Sequence, residues 1–271
     1  METLVTFNPI TVGLDDSLTQ VMRLMDEYEL HHVPVVDDQF QLRGIVSDSD
    51  VSQCLAASTN DGEDDAIPTA GQLMTVDVTS VPLDAAPLVV LEAMLRRNIH
   101  SVPVVEGRRL RGIVTSRDFL REYSELGCRT GRLPLARAMQ PWRPTVERTA
   151  SPDEALQLMQ ATGSRYIGII DGLRACGVLS KRQLGRARRL QWLGDESDFT
   201  VLESSAAMLG DLLPEAAGII DPRSPAGEAA SKLHELRADG LAVVDAERRI
   251  LGMLTLTGLL QSLSSELARR A

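Results

Sequence analysis

Two stretches of the chain are near copies of each other: His31 to Asp50, HHVPVVDDQFQLRGIVSDSD, and His100 to Asp118, HSVPVVEGRRLRGIVTSRD. Such duplication constrains the fold more than any other feature, because each copy must find the same local structure and bury the same face. At one constant offset, Val12, Leu14, Asp15, Val33 and Pro34 fall on Val81, Leu83, Asp84, Val102 and Pro103. A third copy carries Leu91 to Leu156, Met94 to Met159 and Gly112 to Gly177 without a gap. A fourth aligns LAVVD, Leu241 to Asp245, with VPVVD, Val33 to Asp37, and Gly252 with Gly44. The units span about 1–57, 70–126, 134–190 and 206–271.

Each unit reads strand, helix, strand, strand, helix, an α/β (α+β) pattern. In the first, Ile10 to Val12 forms a short strand, and Leu18, Val21, Met22, Met25 and Tyr28 recur at helical spacing as one apolar stripe. Asp15 and Asp16 mark the start of that helix. The third unit marks it with Ser151-Pro152-Asp153-Glu154, a capping box with proline in the first turn, and the fourth with Ser224-Pro225. Val33 to Val36 and Leu42 to Val46 form a hairpin, and the last helix begins near Asp50. The connection 56–69 reads as a surface loop. Lys181, Arg182, Arg186, Arg188 and Arg189, flanking Trp192, are either a solvated helix face joining the third and fourth units or a nucleic-acid patch. Glycine occurs twice in Gly127 to Leu133, which places a boundary there and pairs the units as 1–126 and 134–271.

Composition narrows the chemistry. A formal net charge of −10 disfavours a nucleic-acid-coating surface, so an anionic ligand must be met by local cations or helix N-termini. At 3% aromatic residues, a base cannot be stacked between several rings. Cys54, Cys128 and Cys176, odd in number and widely spaced, fit a reducing cytoplasm and no zinc site. No apolar run approaches the roughly 20 residues that span a bilayer, and Met1-Glu2-Thr3 opens no signal-like leader, so the expected location is cytoplasmic, away from membranes. No nucleophile and base pair, and no metal-ligand spacing, suggests an enzyme.

The order of PVV strand, G-I-V strand and S/T-x-x-D helix resembles the CBS domain, the cystathionine beta-synthase regulatory module, over nearly the whole chain. HHVPVVD with GIVSDSD and HSVPVVE with GIVTSRD carry the likeness most specifically, followed by YIGIID with GVLSKRQ and LAVVD with GMLTLTG. In that family two units pack about a pseudo-twofold axis into a Bateman module, whose clefts take adenosine-containing ligands such as AMP, ADP, ATP or S-adenosylmethionine. Four tandem units imply two modules, an architecture similar to the AMP-activated kinase gamma subunit. The resemblance implies a regulatory protein with an adenine nucleotide as ligand. It also implies a homodimer formed through apolar helix faces, here the Leu18, Val21, Met22 and Met25 stripe, and a regulated protein partner not identified by sequence. The rival is a ligand-free scaffold for oligomerisation.

A ribose offers two neighbouring hydroxyls that a carboxylate can accept, with an adjacent hydroxyl to assist. Ser47 with Asp50 and Thr115 with Asp118 suit that, although Ser/Thr-x-x-Asp is equally a helix-opening signal. The third unit has Ser180-x-x-Gln183 and the fourth Thr255-x-x-Gly258, so the full pattern is confined to the first module. By resemblance, His31 and His100 are candidates for nucleotide phosphate, as is Arg117; a histidine before a strand is otherwise simply exposed. The family also points to Ile10, Val33 and Pro34, and to Thr79, Val102 and Pro103, as the aliphatic wedge around adenine, where core packing is the other reading. His32 and His234 read as structural.

Overall fold

The computed structural model describes residues 3–58, 67–130, 135, 138–142, 144–185, 208–213 and 218–270. These fall into two compact units, one drawn from Met1–Met94, Ile99–Thr115 and Gly185–Glu203, the other from Leu95–Asn98, Ser116–Leu184 and Ser204–Ala271. Arg186, Arg188, Arg189, Trp192 and most of the 56–69 connection lie outside the described residues.

All four repeats share one plan. A short first strand runs parallel to the middle strand, which pairs antiparallel with the third. In the first repeat these strands are Val12–Gly13, His32–Val36 and Leu42–Ser47; in the second, Val81–Pro82, Ser101–Glu106 and Arg109–Thr115. The third has Thr145–Glu147, Tyr166–Asp171 and Arg174–Ser180, and the fourth Ile219–Ile220, Gly240–Val244 and Ile250–Thr255. A parallel pair needs a crossover, supplied by the helices Leu18–Glu27, Pro87–Arg97, Pro152–Thr162 and Ala226–Glu235. Each hairpin carries a register shift at the same place, Val35/Val36, Val104/Val105, Ile169/Ile170 and Val243/Val244.

The helix Leu18–Glu27 buries Leu18, Val21, Met22 and Met25 in the core of the first repeat, each worth about 1.5–3 kcal/mol of transfer energy. Tyr28, expected on the same stripe, caps the helix C-terminus and is 52% exposed. Burial of the other four withdraws the surface on which the dimer expectation rested. Ser151 and Glu154 form the expected capping box, with Pro152 in the first turn and Gly163 closing the helix at φ 64°. In the fourth repeat the cap position falls on Pro225 rather than on Ser224, whose N–H donates to the Asp221 carbonyl. The first strand is Val12–Gly13, slightly later than Ile10 to Val12. The helix Ser116–Thr130 runs through Gly127, so the glycine does not end it, and it packs on Ala226–Glu235 and Leu256–Arg270 within the second unit.

One contact recurs four times and explains the glycine of each third strand. Met74 lies on Gly44, Val5 on Gly112, Leu213 on Gly177 and Met139 on Gly252. A Cβ at Gly177 would sit 2.7 Å from Leu213 Cδ2, and at Gly252 2.9 Å from Met139 Cε, closer than side chains pack. The lead-in of each repeat therefore crosses the sheet of its pair partner, first with second and third with fourth. Thr6–Phe7 joins the second repeat's sheet with Thr6 opposite Ile113, and Met139–Gln140 joins the fourth's with Gln140 opposite Met253. The chain thus forms two pseudo-twofold pairs.

Candidate ligand site

The candidate residues of the first repeat gather where the hairpin gives way to its helix. Strand Leu42–Ser47 ends with Ser47 opposite His32, and the Asp48 N–H donates to the His31 carbonyl at 3.1 Å. Equivalent bonds run from Lys181 to Arg165 at 2.9 Å and from Leu256 to Asp239 at 2.8 Å. In these three repeats the residue before the middle strand is therefore tied to the opening of its own repeat's last helix.

Ser47 and Asp50 are brought together. The Ser47 N–H and hydroxyl both donate to Asp50 Oδ2, at 2.7 and 2.6 Å, and the Asp50 N–H lies 3.4 Å from Ser47 Oγ. In the third repeat Ser180 and Gln183 repeat this geometry, the Ser180 N–H and hydroxyl reaching Gln183 Oε1 at 3.0 and 3.1 Å. In the fourth, Thr255 Oγ1 accepts from the Gly258 N–H at 3.1 Å. The pattern caps the helix in each case. In the second repeat Thr115 ends its strand half-buried and Asp118 sits in the first helical turn, 7% exposed, with Arg121 Nη2 at 3.3 Å from Oδ1.

His31 is not simply a surface residue. Its Nδ1 lies 2.6 Å from Asp48 Oδ2, and Asp48 is 3% exposed, so a buried carboxylate fixes the ring's orientation. Asp48 escaped the motif reading because it falls between Ser47 and Asp50, and the equivalent positions hold Ser116, Lys181 and Leu256. His100 is half-buried. Arg117 is engaged in the second unit, where its Nη2 donates to the Arg237 carbonyl at 2.9 Å and lies 3.3 Å from Asp239 Oδ1. Val33, Pro34, Val102 and Pro103 are buried in their middle strands, whereas Ile10 and Thr79 are half-buried ahead of the first strands.

In the second unit the corresponding positions are filled by the chain's own side chains. Ser180 Oγ donates to Asp239 Oδ2 at 2.6 Å, and Arg182 Nε donates to the same oxygen at 3.0 Å. The indole of Trp142 lies on Gly168, which stands where the first two repeats have Pro34 and Pro103. Among the described residues no group of three His, Cys, Asp or Glu could hold a metal ion, and no helix is long and apolar enough to cross a membrane.

The profile of the CBS domain matches residues 2–57, 70–125 and 215–265, more than half of the chain. The chain belongs to the CBS-domain family. An inosine-5'-monophosphate dehydrogenase of Halobacterium salinarum is 31% identical over 174 residues, 62% of this chain and 33% of the dehydrogenase, so the chain spans only a third of that relative's length. Hypoxic response protein 1 of Mycobacterium tuberculosis is 33% identical over 115 residues, 42% of this chain and 78% of that protein. Among solved structures, protein MJ1225 of Methanocaldococcus jannaschii, described as a candidate archaeal homologue of g-AMPK, aligns with 97% of this chain and 99% of its own. Its TM-score is 0.74 at 15% identity, a likeness of fold. The third CBS repeat, outside the matched residues, keeps the strand and helix order while holding Gly168 in place of proline and Gln183 in place of aspartate.

Proposed function

We propose that this CBS protein is regulatory rather than catalytic, and that its first CBS pair senses an adenosine-containing ligand of the AMP, ADP, ATP or S-adenosylmethionine class. The observation that carries the reading is the 2.6 Å bond from Ser180 to Asp239, in which the hydroxyl closing one hairpin meets the residue before the middle strand of the paired repeat. Transferred by repeat equivalence, Ser47 would face His100 and Thr115 would face His31. The first pair would then offer imidazoles for phosphate, Asp50 and Asp118 for ribose, and Ile10, Val33 and Pro34 or Thr79, Val102 and Pro103 for adenine. In the second pair the matching positions hold Asp239, Gln183 and Gly168, the last covered by the Trp142 indole, which suits a structural or partner-binding role. Association into a twofold dimer through a surface other than the buried Leu18, Val21, Met22 and Met25 stripe, a cytoplasmic location, the division into 1–126 and 134–271, and energy sensing through a protein partner belong to the same reading. The dehydrogenase relative adds no catalytic role, since the chain matches only 33% of it.

One observation favours the scaffold reading: Asp50 Oδ2 already accepts two bonds from Ser47, an arrangement that Gln183 reproduces without a carboxylate. Mass spectrometry of ligand released on denaturing the purified chain, with calorimetric titration of AMP, ADP, ATP and S-adenosylmethionine, separates the two. Sensing requires binding of at most two equivalents per chain; no released ligand and no binding heat leaves the scaffold.

A further inference from the structure

Side chains from the second and third repeats converge on one buried carboxylate of the fourth. Asp239, in the fourth repeat, is 4% exposed. Ser180 and Arg182, from the third repeat, meet its Oδ2 at 2.6 and 3.0 Å, and a second nitrogen of Arg182 reaches Oδ1. Arg117, at the start of the second repeat's last helix, lies 3.3 Å from Oδ1. Arg117 and Arg182 hold the same register position, two residues beyond Thr115 and Ser180. Asp239 itself stands in the register of His31 and His100.

Two guanidinium groups and a hydroxyl around two oxygens form the donor set that recognises an oxyanion. The three charged groups leave one positive charge in excess, so nothing in this cluster requires the anion to be a carboxylate rather than a phosphate. We propose that Ser180, Arg182 and Arg117 form an oxyanion site whose resident anion is the chain's own Asp239. The occupied site excludes phosphate groups from the third and fourth repeats and fastens the helix Ser116–Thr130 to the fourth. It accepts an inorganic or nucleotide phosphate only once that carboxylate is removed or neutralised. This holds whether or not the first pair binds a nucleotide.

The test uses the full chain and inorganic phosphate, compared with chloride at equal ionic strength. Asp239→Asn leaves an acceptor for Ser180 and removes the charge, so phosphate raises its melting temperature by several degrees more than that of the parent. The added response disappears in Asp239→Asn/Arg182→Gln, which lacks one of the two cations. If Asp239→Asn does not accumulate folded, its refolding yield becomes the readout, and phosphate raises that yield while leaving the double variant's unchanged. Equal phosphate responses in the parent and Asp239→Asn, or a response that survives loss of Arg182, overturns the proposal.

Discussion

The indole of Trp142 lies against Gly168 so closely that a methyl group there would enter the ring, its Cβ falling 2.8 Å from Nε1. Gly168→Ala is therefore expected to destabilise the second unit by about 1–3 kcal/mol, the usual range for overpacking. In a Trp142→Leu background the same change should cost much less. Urea denaturation of the four proteins measures the coupling, and equal losses in both backgrounds would show that the ring is not the obstacle.

Gly112 and Gly107 separate two reasons for glycine. A Cβ on Gly112 would lie 2.9 Å from the Thr6 carbonyl oxygen, which backbone pairing holds in place, while Gly107 has open space around it but a φ of 62°. Gly112→Ala should cost about 1–3 kcal/mol and loosen the Thr6–Phe7 strand. Gly107→Ala should cost roughly 1–2 kcal/mol, for its left-handed backbone alone. Amide hydrogen exchange at Thr6 and Phe7 tells them apart, rising only in the first variant.

Asp50→Asn and Asp118→Asn distinguish a ribose carboxylate from a helix cap. Asparagine caps about as well as aspartate, so unliganded stability should change by only a few tenths of a kcal/mol. As a ribose ligand the amide offers one acceptor where two hydroxyls need two, a loss of about 1.5–3 kcal/mol, or roughly tenfold to hundredfold in affinity. Each variant should weaken one binding event by that factor in calorimetry and leave the other unchanged. Parental affinity in both would return these residues to capping alone.

The pair His31 and Asp48 should be energetically coupled. Asp48→Asn weakens a charge-assisted bond to a buried carboxylate, with an expected loss of about 1.5–3 kcal/mol. His31→Ala in the same background should then add little, which a double-mutant cycle reads directly. Strict additivity would mean that the 2.6 Å contact contributes no stability.

Burial raises the Tyr166 phenol above its ordinary 10.0, with the hydroxyl's bond to Thr257 acting in the opposite direction. The folded chain thus keeps a proton that the unfolded chain loses near 10.0, so Tyr166 adds stability below that pH and the benefit fades as pH rises toward the folded value. Tyr166→Phe should flatten the stability profile above pH 10. An unchanged slope in that variant would show that the phenol does not set it.

Much of the fold was legible because repetition multiplies weak signals. The PVV and G-I-V segments announced the first two hairpins, YIGIID and LAVVD the other two by register, and Ser151 to Glu154 announced a helix start that the structure keeps. The cap position at Pro225 rather than Ser224 was not recoverable, since it turns on local geometry that serine permits but does not dictate. Ser47 and Asp50 were visible as a motif, whereas Asp48 and Asp239 were not. Their meaning comes from partners 17 and 59 residues away, His31 and Ser180, and no short pattern encodes such a pairing. Register alone held a clue for Asp239, which aligns with two histidines.

Reciprocal crossing of lead-in segments bears on how the chain reaches its native state. The first repeat gives Thr6–Phe7 to its neighbour and receives a bridge from Thr75 at Ile45, so neither sheet is complete until both repeats are present. The smallest cooperative folding unit is then the pair. During synthesis the edge at Ile45 stays open until Thr75 has emerged and Thr6–Phe7 waits for Gly112 and Ile113, so a truncation after residue 57 yields an exposed strand edge with nothing to cover it.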